Sequence, residues 1–270
     1  MMIFLHIPRT GGTTFEFVLA NSFGMRHCHL GYTGRTIIRQ KDLDFAKKIF
    51  PGLRSVSGEN VINPLSLSAA NPFYMTFLRE PLARVFSHYQ DSVLRSNNKL
   101  SFAEMLRSDG VLENLQVKMI AGERNLDKAK RFLERFNFVG LTEKFDLSLH
   151  VLKRVSPHKL NLNYRRKHTA RDGIIRKSLE NDDQILEMTR EHNKLDLELY
   201  SFAISEIFPR LCAKAGFRPS DQVASFDKYS SVVKPGFLLH RLYNKGFFRE
   251  TCKLVYRNSA PAAAETAATD

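Results

Sequence analysis

Tryptophan is absent from the 270 residues, and cysteine occurs only as Cys28, Cys212 and Cys252. Three thiols, far apart and odd in number, exclude a disulfide framework and a zinc-finger spacing, and read as buried or incidental groups. Long apolar runs are missing too. MMIFLHI (1–7) is interrupted by Pro8 and Arg9 and is too short for the apolar region of a secretion signal, and no later run is long enough to span a bilayer. The chain as given therefore reads as cytoplasmic and without a transmembrane segment. Acidic residues are few beside basic ones, 28 against 41, which leaves a net charge of +13. Such a field suits nucleotides, nucleic acid, acidic peptides, anionic glycans or lipid headgroups without choosing among them, and spreading the excess over solvated faces would serve equally well.

What is present is a globular composition, 43% hydrophobic and 26% charged, on a chain long enough to bury a sizeable core. Ile3 to Ile7 reads as a buried strand, and after the loop PRTGG the residues Phe15, Val18, Leu19 and Phe23 recur at helical spacing. PFYMTFL (72–78) repeats the pattern, with Leu82, Val85, Phe86, Tyr89 and Val93 following Pro81 in a second helix. Weaker strands are expected at 54–57, 137–141 and 159–163. Helices are expected at 101–109, 111–121, 125–135, 142–155, 178–190 and, with a bend or stop at Pro209, 193–214. Strands alternating with helices imply an α/β domain, a mainly parallel sheet covered on both faces, with ligands beyond the carboxyl ends of its strands. That domain is assigned to 1–215. A basic aromatic extension (216–257) is expected to pack on it, and 258–270, rich in Ala, to be a disordered tail.

A glycine-rich turn between strand and helix lets backbone N–H groups approach an anion, and the helix start adds unpaired donors and the positive end of a dipole. In IPRTGGTT, Thr13 and Thr14 are placed to cap the helix or donate to a ligand, and Arg9 adds a fixed charge. The spacing of the P-loop pattern, with its lysine, is absent, so a magnesium–ATP kinase gains no support. Taken alone, the loop would equally suit a plain strand-to-helix turn. LREPLARVFSHY supplies a second feature, in which Arg79 at a strand end and Ser87 two helical turns on are able to hold a phosphate by charge and hydroxyl donation.

FLHIPRTGGTTF followed by YMTFLREPLARVFSHY resembles the two nucleotide-binding signatures of sulfotransferases that use 3′-phosphoadenosine 5′-phosphosulfate, particularly the family that includes the heparan sulfate 2-O-sulfotransferases. Weaker likenesses in NLQVKMIAG (114–122), FVGLTEKFDLSL (138–149) and LDLELYSFA (195–203) extend the resemblance over about the first 215 residues. It implies a P-loop-like three-layer fold and the phosphoadenosine compound as co-substrate, and in-line sulfuryl transfer requires no metal. It further implies that Arg9, Thr10, Gly11, Gly12, Thr13 and Thr14 surround the 5′-phosphosulfate and that Arg79 and Ser87 bind the 3′-phosphate. Where the family often carries lysine this chain has Arg9, a broader fork than a compact ammonium. The basic segment NYRRKHTARD (163–172) resembles one that closes over the nucleotide, which makes Arg165, Arg166 and Lys167 candidates for the same phosphate.

Sulfuryl transfer needs a group to take the acceptor's proton. Related enzymes tend to place a histidine after a glycine where this chain has Gly58 and Glu59, so Glu59 is the expected base, with His29 and His88 as alternatives. His27 and His29 flank Cys28, but no metal centre is expected from them. The acceptor expected is a glycan or an acidic tyrosine-containing peptide. A P-loop kinase-like phosphoryl transferase and a basic nucleic-acid-binding protein are the alternative readings, and no nucleic-acid motif is found to favour the latter.

Overall fold

The computed structural model describes residues 1–96, 98–108, 110, 112–164, 173–227 and 235–256. Arg165, Arg166, Lys167 and the tail 258–270 lie outside the described residues. Chain order is β1 (Met2–Leu5), α1 (Gly12–Phe23), β2 (His27–His29), α2 (Gln40–Ile49), β3 (Ser55–Gly58), β4 (Phe73–Leu78), α3 (Pro81–Ser96), α4 (Phe102–Ser108), α5 (Leu115–Ala121), α6 (Leu126–Glu134), β5 (Phe138–Leu141) and α7 (Phe145–Val155). Then follow α8 (Ile174–Glu180), α9 (Asp183–His192), α10 (Lys194–Phe202), α11 (Phe208–Ala215), α12 (Pro235–Leu242) and α13 (Arg249–Tyr256).

The strands form one sheet in the order β2-β3-β1-β4-β5, and every pairing is parallel. β1 is buried along its whole length, as a central parallel strand must be when helices cover both faces. Its side chains divide between two apolar clusters. Phe4 joins Phe15, Phe77, Phe138 and Leu149, while Ile3 joins Cys28, Leu43, Phe50, Phe248 and Cys252. The basic aromatic extension thus contributes Phe248 and Cys252 to the second cluster. All three cysteines are free and buried.

Several expected elements differ. KLNLN (159–163) is not a strand. Leu162 is buried in the first cluster, but the Asn161 N–H donates to the Ser22 hydroxyl (2.9 Å), and Tyr164 makes only an isolated bridge with Asp227. Its alternation records an extended segment packed on the core without a ladder. The helix expected over 178–190 breaks at Asn181–Asp182, because the Asp182 carboxylate caps α9 by accepting from the N–H groups of Gln184 and Ile185 (3.0 and 3.1 Å). Pro209 does not end its helix. A π turn at Ala203–Ile207 precedes it, so the missing proline N–H falls where the ladder is already rearranged.

β2 and α2 have no counterpart among the expected elements. β2 is three residues, HCH, paired with a strand reading SVSG. The His27 side chain is buried because β3 satisfies it: Nδ1 lies 3.1 Å from the Ser55 hydroxyl and Nε2 3.4 Å from that of Ser57.

Candidate functional site

β1 sends its chain toward β2 on one side of the sheet, and β4 sends its chain toward β5 on the other. The crevice between the carboxyl ends of β1 and β4 is therefore a topological switch point, the place where open parallel sheets bind ligands. Both sequence motifs lie there.

The loop after β1 turns on two positive-φ residues, Arg9 (φ 71°) and Gly11 (φ 84°). Thr10 closes the turn from inside, its buried hydroxyl donating to the Ile7 carbonyl at 2.8 Å. α1 starts at Gly12 with Gly11 as N-cap and no side-chain cap, so neither Thr13 nor Thr14 caps it; Thr14 is buried and Thr13 exposed. The Thr14 and Phe15 N–H groups both donate to the Gly11 carbonyl (3.1 Å each), and the N–H groups ahead of them are the donors that a helix start leaves outside its ladder.

Three elements pin this loop. The Thr142 hydroxyl, just after β5, sits between the carbonyls of Thr10 (2.8 Å) and Leu78 (3.0 Å) and donates to one at a time. Arg79 Nη1 donates to the Arg9 carbonyl (3.0 Å). The Arg9 guanidinium then crosses to α3, where Nε and Nη2 each lie 3.1 Å from the Ser87 hydroxyl and Nη1 pairs with Asp91 (3.1 Å). Arg79 is itself clamped: its N–H donates to Gln116 Oε1 (3.0 Å) and its carbonyl accepts from Gln116 Nε2 (2.9 Å). Burial, then Arg176 and Arg9, push the Arg79 guanidinium down to about 10 against the pull of Glu143. Arg9 and Arg79 thus meet at the crevice with Arg176 near enough to act on Arg79, and each has a carboxylate partner, Asp91 (3.1 Å), Glu143 (4.0 Å) and Glu180 (2.6 Å) respectively.

A second cluster lies at the ends of β1, β2 and β3. His6 Nδ1 is 3.0 Å from Glu16 Oε1 on α1, and His29 Nε2 is 3.3 Å from Glu16 Oε2. Burial alone would raise the Glu16 pKa, but His29 and His6 outweigh it and hold the carboxyl well below the usual range. Burial disfavours a charge on His29, yet Glu16 wins and raises its pKa. The Gly31 N–H lies 2.9 Å from His29 Nδ1, which in the neutral ring puts the hydrogen on Nε2, toward Glu16. His6 Nε2 faces Glu59 Oε1 at 3.8 Å, and the Glu59 side chain is 58% exposed at the mouth. Gly12 packs against the His6 ring so closely that a Cβ there would land on it.

Arg9, Arg79 and Ser87 therefore come together across the crevice, with the Gly11–Gly12 turn beside them. Glu59 and His29 belong to the adjoining imidazole–carboxylate cluster, while His88 lies on α3 next to Ser87. His6, Glu16, Gln116, Thr142 and Arg176 were not among the expected residues. His6 and Glu16 flank the loop in sequence, and that proximity was the available signal; the other three reach it only through the fold. Among the described residues no group of three or more His, Cys, Asp or Glu side chains is arranged to hold a metal ion, and no helix is long and apolar enough to cross a membrane. No family model matches the chain, and no curated protein matches it.

Proposed function

We propose that this chain is a sulfotransferase that moves the sulfuryl group of 3′-phosphoadenosine 5′-phosphosulfate to a hydroxyl of a carbohydrate or of a tyrosine in an acidic peptide, on a P-loop-like three-layer domain. The observation that carries the reading is the join between the two motifs. Arg79 bonds the Arg9 carbonyl at 3.0 Å and Arg9 bonds Ser87 at 3.1 Å, so one connected set of donors spans the switch-point crevice.

In this reading the Gly11–Gly12 turn and the start of α1 hold the phosphosulfate end, and Arg79 with Ser87 holds the 3′-phosphate. Arg9 spans both: its peptide shapes the loop, and its guanidinium stands at Ser87. The acceptor oxygen attacks sulfur, a new sulfur–oxygen bond forms, and the bond to the bridging oxygen breaks with its electrons leaving on the phosphate. The acceptor's proton goes to Glu59, the exposed carboxylate at the mouth. His6, with Nδ1–H held by Glu16, turns its Nε2 lone pair toward Glu59, so one proton between the two relieves their mutual repulsion. His29 is less available, since one ring nitrogen is taken by the Gly31 N–H and the other faces Glu16.

The test is calorimetry with 3′-phosphoadenosine 5′-phosphate against ATP, followed by donor-dependent sulfation of glycans and tyrosine peptides. Preference for ATP, or no nucleotide binding, would sink the reading. Glu59→Gln is expected to lower turnover by about 10²–10⁴-fold with nucleotide affinity unchanged. Arg79→Ala and Ser87→Ala are expected to weaken nucleotide binding instead.

A further inference from the structure

The C-terminal helical segment buries one line of side chains against the sheet edge, flanked by Tyr243 and Tyr256, whose hydroxyls donate to the Ile49 carbonyl (2.9 Å) and the Asp42 carboxylate (2.8 Å). His240, Asn244, Phe248 and Cys252, four residues apart, are buried against the sheet edge, with Asn244 accepting from the His29 N–H at 3.1 Å. The rest of its surface is unusual. Ten large apolar side chains stand exposed among the described residues, and six of them are Leu238, Leu239, Leu242, Phe247, Leu254 and Val255, each between 49 and 71% exposed. Exposed apolar groups concentrated in so short a stretch mark a surface that something covers.

The charges around them say what. Arg241, Lys245, Arg249 and Lys253 are exposed on the same segment, against Glu250 as its one carboxylate. Glu250 is taken by Lys253 at 2.8 Å, while Arg241, Lys245 and Arg249 make no ion pair with a described residue. A second copy of this chain packed face to face would set these cations against themselves. Leucine is also a poor anchor for protein partners, whose binding energy comes mostly from Trp, Tyr and Arg. Leucine and phenylalanine interleaved with Lys and Arg suit an interface that is apolar below and anionic above, which is the outer layer of an anionic bilayer.

We propose that residues 238–255 are an interfacial helix that lays the protein on an anionic lipid surface, without spanning it. The inference is independent of the reaction assigned to the crevice. The test is flotation of the full chain with vesicles of phosphatidylcholine alone and of phosphatidylcholine mixed with phosphatidylserine. Retention on the anionic vesicles, weakened by added salt, is expected. Replacing Arg241, Lys245 and Arg249 together by Gln should lower that affinity by about a hundredfold, from a contribution of about fivefold per cation. Leu239→Ser with Leu242→Ser should abolish retention while the thermal melt, read in parallel, stays unchanged because both positions are exposed. Failure to bind anionic vesicles overturns the proposal, as does retention that survives the leucine changes. A concentration-dependent dimer in light scattering, lost in the leucine variant, would overturn it in favour of a second copy.

Discussion

Single atoms govern the loop after β1. A methyl group at Gly12 would fall on the His6 ring, so Gly12→Ala has to displace the imidazole from Glu16 or move the start of α1. Overpacking of this kind costs about 1–3 kcal/mol, which a thermal melt would register, and under the proposed function turnover should fall further than stability because His6 leaves Glu59. Glu16 offers a separate test through pH. Its folded pKa is depressed, so its contribution is complete above the unfolded value of 4.5 and is lost as pH falls through the folded pKa. The His29 pKa is raised, so its contribution is complete below the unfolded value of 6.5 and is lost as pH rises through the folded pKa. Both are present between those values. Glu16→Gln should therefore cost most stability, about 2 kcal/mol, near pH 5–6 and progressively less on either side, as measured by urea unfolding across pH. A uniform loss at all pH values would show that the pair is not charged.

Elements are joined at the site by a few side chains, and α5 shows how. The buried Asp196 carboxylate on α10 accepts from the N–H groups of Gln116 (3.1 Å) and Val117 (2.8 Å), satisfying two orphan donors of the first turn of α5. α5 so held presents Gln116 to both sides of the Arg79 peptide. Gln116→Leu removes one donor and one acceptor from the part-buried Arg79 backbone. Chemical denaturation should show a loss of about 2–3 kcal/mol. Under the proposed function, calorimetry should show weaker nucleotide binding, since the Arg79 guanidinium loses its fixed base. Unchanged nucleotide affinity in a destabilised protein would assign Gln116 a purely structural role. None of this was legible from NLQVKMIAG, because an amide on an apolar helix face carries no sign of which peptide it meets. IPRTGGTT and LREP were legible, since an apolar run, a break and a helical period are local patterns that any short window contains.

Across the whole molecule, the C-terminal helix is tied to the far edge of the sheet by two histidines. His27 and His240 stack at 5.3 Å, and burial pushes His240 down to about 4, with His27 also lowered, first by burial and then by His240. Unfolded, each would take up a proton near 6.5. Between pH 6.5 and about 4 the unfolded chain therefore binds more protons than the folded one, so stability falls as pH drops through that window and His240 adds no further change below it. His240→Phe, which keeps a ring in the stack, should flatten the decline of the melting temperature over that range, by an amount equivalent to up to about 3 kcal/mol. An undiminished decline would place the acid sensitivity elsewhere. The same tie shows the limit of local reading. The chain by itself determined that strand, break and helix follow one another twice, and that three distant cysteines supply no disulfide framework. Only tertiary structure decided that β1 lies beside β4, which brings Arg9 to Arg79 and Ser87 across more than seventy residues, and that β1, β2 and β3 end together, which assembles His6, Glu16, His29 and Glu59. The physical reason is that parallel strands are paired through long crossovers. Which ends become neighbours depends on burying two apolar faces at once, and that is a property of the whole chain rather than of any window within it.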